Sequence, residues 1–87
     1  MDIRRKEFGE GLAERRRYKS LTEGRDIKQS ELARAVGVRP STLNMYENGK
    51  ALPSILTAYK LAAFFGTTID DLVGPFIGES GEEAADS

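Results

Sequence analysis

The 87-residue chain contains no cysteine and no histidine. Without cysteine there is no disulfide and no thiolate metal site to stiffen a small fold. Without histidine the commonest general base and metal ligand is missing. Carboxylates remain, but they form no paired motif suited to acid–base work. An enzyme is therefore disfavoured, and no cofactor or metal is expected. The chain also lacks an apolar run long enough to span a bilayer. Arg4, Arg5 and Lys6 are followed by no apolar stretch of the kind a signal peptide carries. A cytoplasmic protein with no membrane partner is the expectation.

What is present is a segregated charge. The formal net charge is only −1. Residues 1–50 hold 12 Lys and Arg against 8 Asp and Glu, whereas residues 51–87 hold 1 against 6. A basic half suits an anionic partner and an acidic end repels one, although two solvated faces would have the same composition. Eighty-seven residues make one domain, which buries about 60 to 65% of its unfolded surface and so has a modest core.

Five short helices and no strand are predicted. Phe8 and Leu12, four apart in a segment rich in Glu and Arg, predict a helix over about residues 3–18. KSLTEGRD, residues 19–26, breaks the pattern. QSELARAV, residues 29–36, places Leu32, Ala33 and Val36 on one face and stops at Gly37. The third helix starts at Pro40, where a missing N–H costs nothing, and stops at Gly49. The fourth, PSILTAYKLAAFF, turns Ile55, Ala58, Tyr59, Leu61, Ala62 and Phe65 inward and ends at Gly66. Thr68 caps IDDLV, with Asp70 and Asp71 in its first turn, and Gly74 and Pro75 end it. From residue 78 onward GESGEEAADS has almost nothing to bury, so a flexible, disordered acidic tail follows a domain of residues 1–77.

The third helix is chemically odd. PSTLNMYENGK puts Leu43 and Tyr46 on one side, together with Glu47, where a charge is costly. Its other side carries Ser41, Asn44, Met45 and Asn48, with no charge and many hydrogen-bonding groups. Such a side is usually just a solvated face. Yet two short helices joined by a tight turn containing glycine fit the helix-turn-helix, whose second helix lies in the major groove of DNA.

QSELARAVGVRPSTLNMYENGKALPS, followed by LAAFFGTTIDDLV, resembles the Cro/C1-type helix-turn-helix domain, the XRE family, over about residues 8–73. The ordered string Q-x-x-L-A, G-V, S-T-L, Y-E-N-G-K, P-S, L-A and G-T-T-I-D-D-L carries the resemblance. It implies an all-α, lambda-repressor-like domain of five helices with the motif at about residues 29–48. It also implies a double-stranded DNA partner and a homodimer. By position, Gln29 resembles the residue that braces the family on a phosphate and can touch bases. Arg39, Pro40, Ser41, Thr42, Asn44 and Met45 fall among the base-reading positions, with Asn48 and Lys50 at phosphate and Lys28 beside them. Glu47 resembles a glutamate paired with an arginine of the first helix, here Arg16, with Arg15 the other candidate. Physically, an unpaired buried carboxylate is expensive, and a guanidinium can bind it through two parallel hydrogen bonds. Asparagine can pair with adenine through two bonds, arginine with guanine, and an apolar side chain can touch a thymine methyl.

Two features depart from the family pattern. The link between helices 1 and 2 is longer than usual, with extra residues around Ser20 to Arg25. These extend helix 1 by a turn or form a looser loop, and would let Arg25 and Lys28 reach the phosphate backbone. Arg15 stands where an apolar residue is common, its stem able to cover apolar surface. Leu56, Ala63 and Phe64 form a further apolar stripe on helix 4, which Phe76 and Ile77 would complete as a dimer surface; filling of a small core is the alternative. The function implied is a sequence-specific DNA-binding transcriptional regulator, a repressor on a palindromic operator. The other reading is an antitoxin or similar interaction module that neutralises a protein partner, such as a toxin or anti-repressor, and regulates its own operon.

Overall fold

A computed structural model describes residues 3–78 of the chain. Five α-helices run in the order α1 (Arg5–Glu23), α2 (Gln29–Val36), α3 (Pro40–Glu47), α4 (Ile55–Phe65) and α5 (Ile69–Val73), and a single 3-10 turn follows at Gly74–Phe76. The only extended pairing among the described residues is one antiparallel bridge between Ile3 and Ile77. No helix among them is long and apolar enough to cross a membrane. The expected tail lies outside the described residues, apart from its first residue, Gly78.

The first correction concerns α1, which does not stop at residue 18 but continues to Glu23. Lys19, Leu21 and Glu23 are good helix formers, and two side-chain contacts accompany the extra turn. Lys19 Nζ lies 2.8 Å from Glu23 one turn on, and Ser20 Oγ donates to the Arg16 carbonyl at 2.9 Å. Gly24 ends the helix in the left-handed region, with φ of 69°. The extra residues of the long link therefore extend the helix and do not make a loose loop.

Phe8, Leu12, Leu32, Ala33, Val36, Leu43, Tyr46, Leu61, Ala62 and Leu72 form the core. Ile27 joins the buried set with no exposure at all. Each large aliphatic or aromatic side chain in it contributes on the order of 1.5–3 kcal/mol of burial. α1 packs directly on α3. At Gly9, which is buried, an added Cβ would lie 2.6 Å from the Glu47 carbonyl oxygen. A glycine in mid-helix costs about 0.5–1 kcal/mol relative to alanine, and that cost is offset by the backbone contact it permits. The stop after α3 uses the same device. Gly49 has φ of 74°, and a Cβ there would meet Lys6 Cα at 2.8 Å.

On α4 the expected inward face is too wide. Ala58, Leu61 and Ala62 are buried and Phe65 is half-buried, but Ile55 is 80% exposed and Tyr59 61% exposed. The helix projects its first turn beyond the core, and Tyr59 lies round the cylinder from the Ala58–Ala62 stripe. Ser54 Oγ accepts from the Thr57 N–H at 3.1 Å and so fixes the start of α4. Thr68 does the same for α5 through the Asp71 N–H, at 3.1 Å.

The expected five-residue dimer stripe is also revised. Phe76 is half-buried and packs edge-on against Phe8, ring centroids 5.9 Å apart. Ile77 pairs with Ile3. Phe64 is half-buried and packs edge-on against Phe65 at 5.3 Å, with the Lys19 ammonium 5.3 Å above its ring. The fold itself takes up these three. Leu56 and Ala63 remain exposed, and helical spacing places them with Ile55 and Tyr59 on the outer face of α4.

Candidate nucleic-acid interface

The site is built on the carboxylate of Glu47, which sits at the end of α3 and is only 8% exposed. Arg16 from α1 clamps it from below, with Nε 2.9 Å from Oε2 and Nη2 3.0 Å from Oε1. The third guanidinium nitrogen, Nη1, donates to the Ile27 carbonyl at 3.1 Å. The geometry selects Arg16 over Arg15, whose guanidinium instead donates to the Asp71 carbonyl at 3.3 Å. The hydrogen bonds donated to Glu47 hold the Arg16 guanidinium above its ordinary pKa, against the opposing effect of burial. The pair ties α1 to α3 and, through Ile27, to the start of α2.

Two further residues complete this floor. Ser20 Oγ accepts from the Ile27 N–H at 2.9 Å, so the extended end of α1 positions the entry to α2. Gln29 Nε2 donates to Glu47 Oε1 at 2.7 Å. The role of Ser20 has no signature in the sequence, because the two groups are brought together only by the extra turn of α1.

Above the floor, Asn44 Nδ2 faces Gln29 Oε1 at 3.4 Å, and Asn48 Nδ2 donates to Asn44 Oδ1 at 3.0 Å and to the Asn44 carbonyl at 2.9 Å. Arg39, Pro40, Ser41, Asn44, Met45, Asn48 and Lys50 are exposed, while Gln29 and Thr42 are half-buried. The outward side of α3 is thus a continuous uncharged face of amides, hydroxyl and thioether. Arg39 flanks its start and Lys50 its end. Among the described residues neither cation enters an ion pair.

The cations of the long link are placed differently. Arg25 binds Glu31 through two bonds, Nη1–Oε1 at 2.8 Å and Nη2–Oε2 at 2.7 Å, and also reaches Glu23 at 3.2 Å. Its hydrogen bond holds the Glu31 carboxyl below the usual carboxylate range. The Glu23 carboxyl is lowered first by Lys19 and then by Arg25. Lys19 and Arg25 together balance Glu23 and Glu31, so Arg25 adds little net positive charge to the face. Lys28 is exposed, its Nζ 3.3 Å from Asp26.

A family model described as helix-turn-helix matches residues 19–72. An uncharacterized HTH-type transcriptional regulator of Archaeoglobus fulgidus is 41% identical over 58 residues, covering 67% of this chain and 82% of that protein. The cryptic phage CTXphi transcriptional repressor RstR of Vibrio cholerae is 39% identical over 57 residues, covering 66% of this chain and 51% of RstR. Both relatives are named as transcriptional regulators. Among solved structures, the restriction-modification controller protein C.AhdI of Aeromonas hydrophila superposes with a TM-score of 0.65 at 27% identity, covering 77% of this chain and 88% of that one.

Proposed function

Because this chain belongs to the Cro/C1-type (XRE) family of helix-turn-helix transcriptional regulators, we propose that it is a sequence-specific repressor that reads a palindromic operator as a dimer. The observation that carries the reading is the uncharged outer face of α3, seated on the Arg16–Glu47 pair and flanked by Arg39 and Lys50, which form no ion pair among the described residues. A helix of this kind can enter the major groove and present Pro40, Ser41, Asn44 and Met45 to base edges. Lys50, Asn48, Arg39 and the Gln29 end of α2 supply contacts to the phosphate backbone, with Thr42 and Lys28 at the margin. Backbone charge neutralisation dominates affinity in such complexes. The overall net charge of −1 is no obstacle, because only charges within a Debye length of about 8 Å act strongly at the docking face.

The dimer contact we assign to the outer face of α4, where Ile55, Leu56 and Tyr59 are 80%, 61% and 61% exposed and Ala63 continues the stripe. Two copies joined by a two-fold axis would place their reading helices about 34 Å apart, one turn of DNA. Selection from random duplex DNA at moderate salt tests both parts. The expected result is an enriched palindrome with half-sites about ten base pairs apart. Recovery of no motif would move the function to a protein-interaction module. Tyr59→Asp should convert a sedimenting dimer to a monomer; an unchanged dimer would remove α4 from the interface.

A further inference from the structure

The polar side chains around Glu47 form one linked chain, and its polarity is fixed at the buried end. The ion-paired Glu47 carboxylate can only accept hydrogen bonds. Gln29 lies 2.7 Å from it and so must present its NH2 group, which leaves Oε1 pointing up toward α3. Inverting that amide would set a carbonyl oxygen against a carboxylate oxygen in a half-buried setting, where an unmade charge-assisted bond is costly. Asn44 lies over Gln29 Oε1 and turns its own Nδ2 toward it at 3.4 Å. From the other side, Asn48 anchors its Nδ2 on the Asn44 main-chain carbonyl at 2.9 Å and offers the same nitrogen to Asn44 Oδ1 at 3.0 Å. Both neighbours therefore favour one orientation of the Asn44 amide.

We propose that this relay makes Asn44 an adenine reader, with Gln29 and Asn48 as the positioning residues that hold its amide for that base. The inference rests on the DNA-reading role of α3 and specifies its chemistry. An amide carries two N–H groups and two lone pairs on its oxygen. Asn44 uses one of each within the relay, so one N–H and one lone pair remain side by side on the exposed surface. Adenine presents the matching pair in the major groove, an N7 acceptor beside an N6 donor. Guanine presents two acceptors, N7 and O6, and would oppose the Asn44 oxygen with its own. An inverted Asn44 amide would set its N–H groups against the adenine N6 donor. Fixing the amide thus converts a permissive side chain into a selective one.

The test uses the full chain and the operator recovered by selection, with all four base pairs placed in turn at each half-site position. Fluorescence anisotropy titrations compare wild type, Asn44→Ala, Gln29→Met and Asn48→Ala. Asn44→Ala identifies the base pair that Asn44 reads. At that pair wild type should prefer adenine by about tenfold or more, and both Gln29→Met and Asn48→Ala should reduce the preference to about threefold or less. Asn48 is exposed, so its variant keeps the fold even if Gln29→Met does not. Uniform weakening on all duplexes with the adenine preference intact would make Gln29 and Asn48 phosphate contacts only and overturn the relay. So would a wild-type motif with no adenine at the Asn44-sensitive pair. A wild type that enriches no motif overturns the DNA reading itself, an outcome separate from either of these.

Discussion

Replacing Arg16 with methionine is the sharpest test of how α3 is held. Methionine keeps most of the stem that lies between α1 and α3 and deletes the guanidinium. Three hydrogen bonds disappear, two to Glu47 at 2.9 and 3.0 Å and one to the Ile27 carbonyl at 3.1 Å. Glu47 is left 8% exposed with Gln29 as its remaining side-chain partner. Removing one member of a buried pair typically costs 3–5 kcal/mol, because the other charge stays behind unpaired. The Arg16 side chain is itself 17% exposed, so water can reach part of the vacated site, and about 2–4 kcal/mol is the appropriate range. For a domain of this size each kcal/mol moves the melting temperature by about 4–8 °C, which puts the expected drop at about 10–25 °C. Arg17→Ala, an exposed neighbour on the same helix, should stay within about 0.5 kcal/mol of wild type. Thermal melting followed by circular dichroism measures both. The pair Arg16→Met with Glu47→Leu supplies the internal check, since removing both charges should recover part of the loss. An Arg16→Met melting curve that overlays Arg17→Ala would refute the buried-clamp argument. A double variant no more stable than Arg16→Met would locate the cost elsewhere than in the stranded carboxylate.

Three other outcomes follow from the same geometry. Gly9→Ala should destabilise the fold by about 1–3 kcal/mol in urea titration although alanine is the better helix former, because its Cβ would lie 2.6 Å from the Glu47 carbonyl oxygen. Lys50→Ala should weaken binding on all duplexes alike and lower the salt slope by about one, whereas Arg25→Ala, whose guanidinium already holds Glu31 and Glu23, should leave that slope unchanged. The carboxyls of Glu31 and Glu23 lie below their ordinary value of 4.5, so the stability they lend is complete above pH 4.5 and is lost as pH falls through their lower folded values. The small melting difference between wild type and Arg25→Met at neutral pH should therefore shrink as pH falls below 4.5 and vanish once both carboxyls are protonated, and a difference that persists in acid would mean Arg25 stabilises through packing.

Much of the architecture was legible because local chemistry decides it. Pro40 marks a helix start through its missing N–H, Ser54 and Thr68 mark theirs through hydroxyl caps, and Gly37, Gly49 and Gly66 mark stops. The pairing of Glu47 was legible too, since a carboxylate on the apolar side of a helix demands a cation. The length of α1 was not. Lys19, Leu21 and Glu23 favour a helix, but Ser20, Thr22 and Gly24 interrupt the signal, and the contacts of the extra turn include Ser20, whose second partner is Ile27 in the link to α2. Nor could helical spacing alone separate Tyr59 from Ala58 and Ala62, because the width of a buried stripe depends on how far neighbouring helices reach around it.

The same division runs through the site. That Asn44, Asn48 and Gln29 carry amides, and that α3 turns an uncharged face outward, follows from the order of residues along the chain. Which atom of each amide faces outward does not. That was decided only when folding set Gln29 of α2 against a carboxylate from α3, itself held by an arginine from α1. A carboxylate at 2.7 Å tolerates only a donor, and each amide above it inherits its orientation from the one below. Tertiary packing likewise gave Arg25 two carboxylate partners and, among the described residues, left Arg39 and Lys50 without one. Composition counts charges, but only contact distances determine which of them remain available to a phosphate.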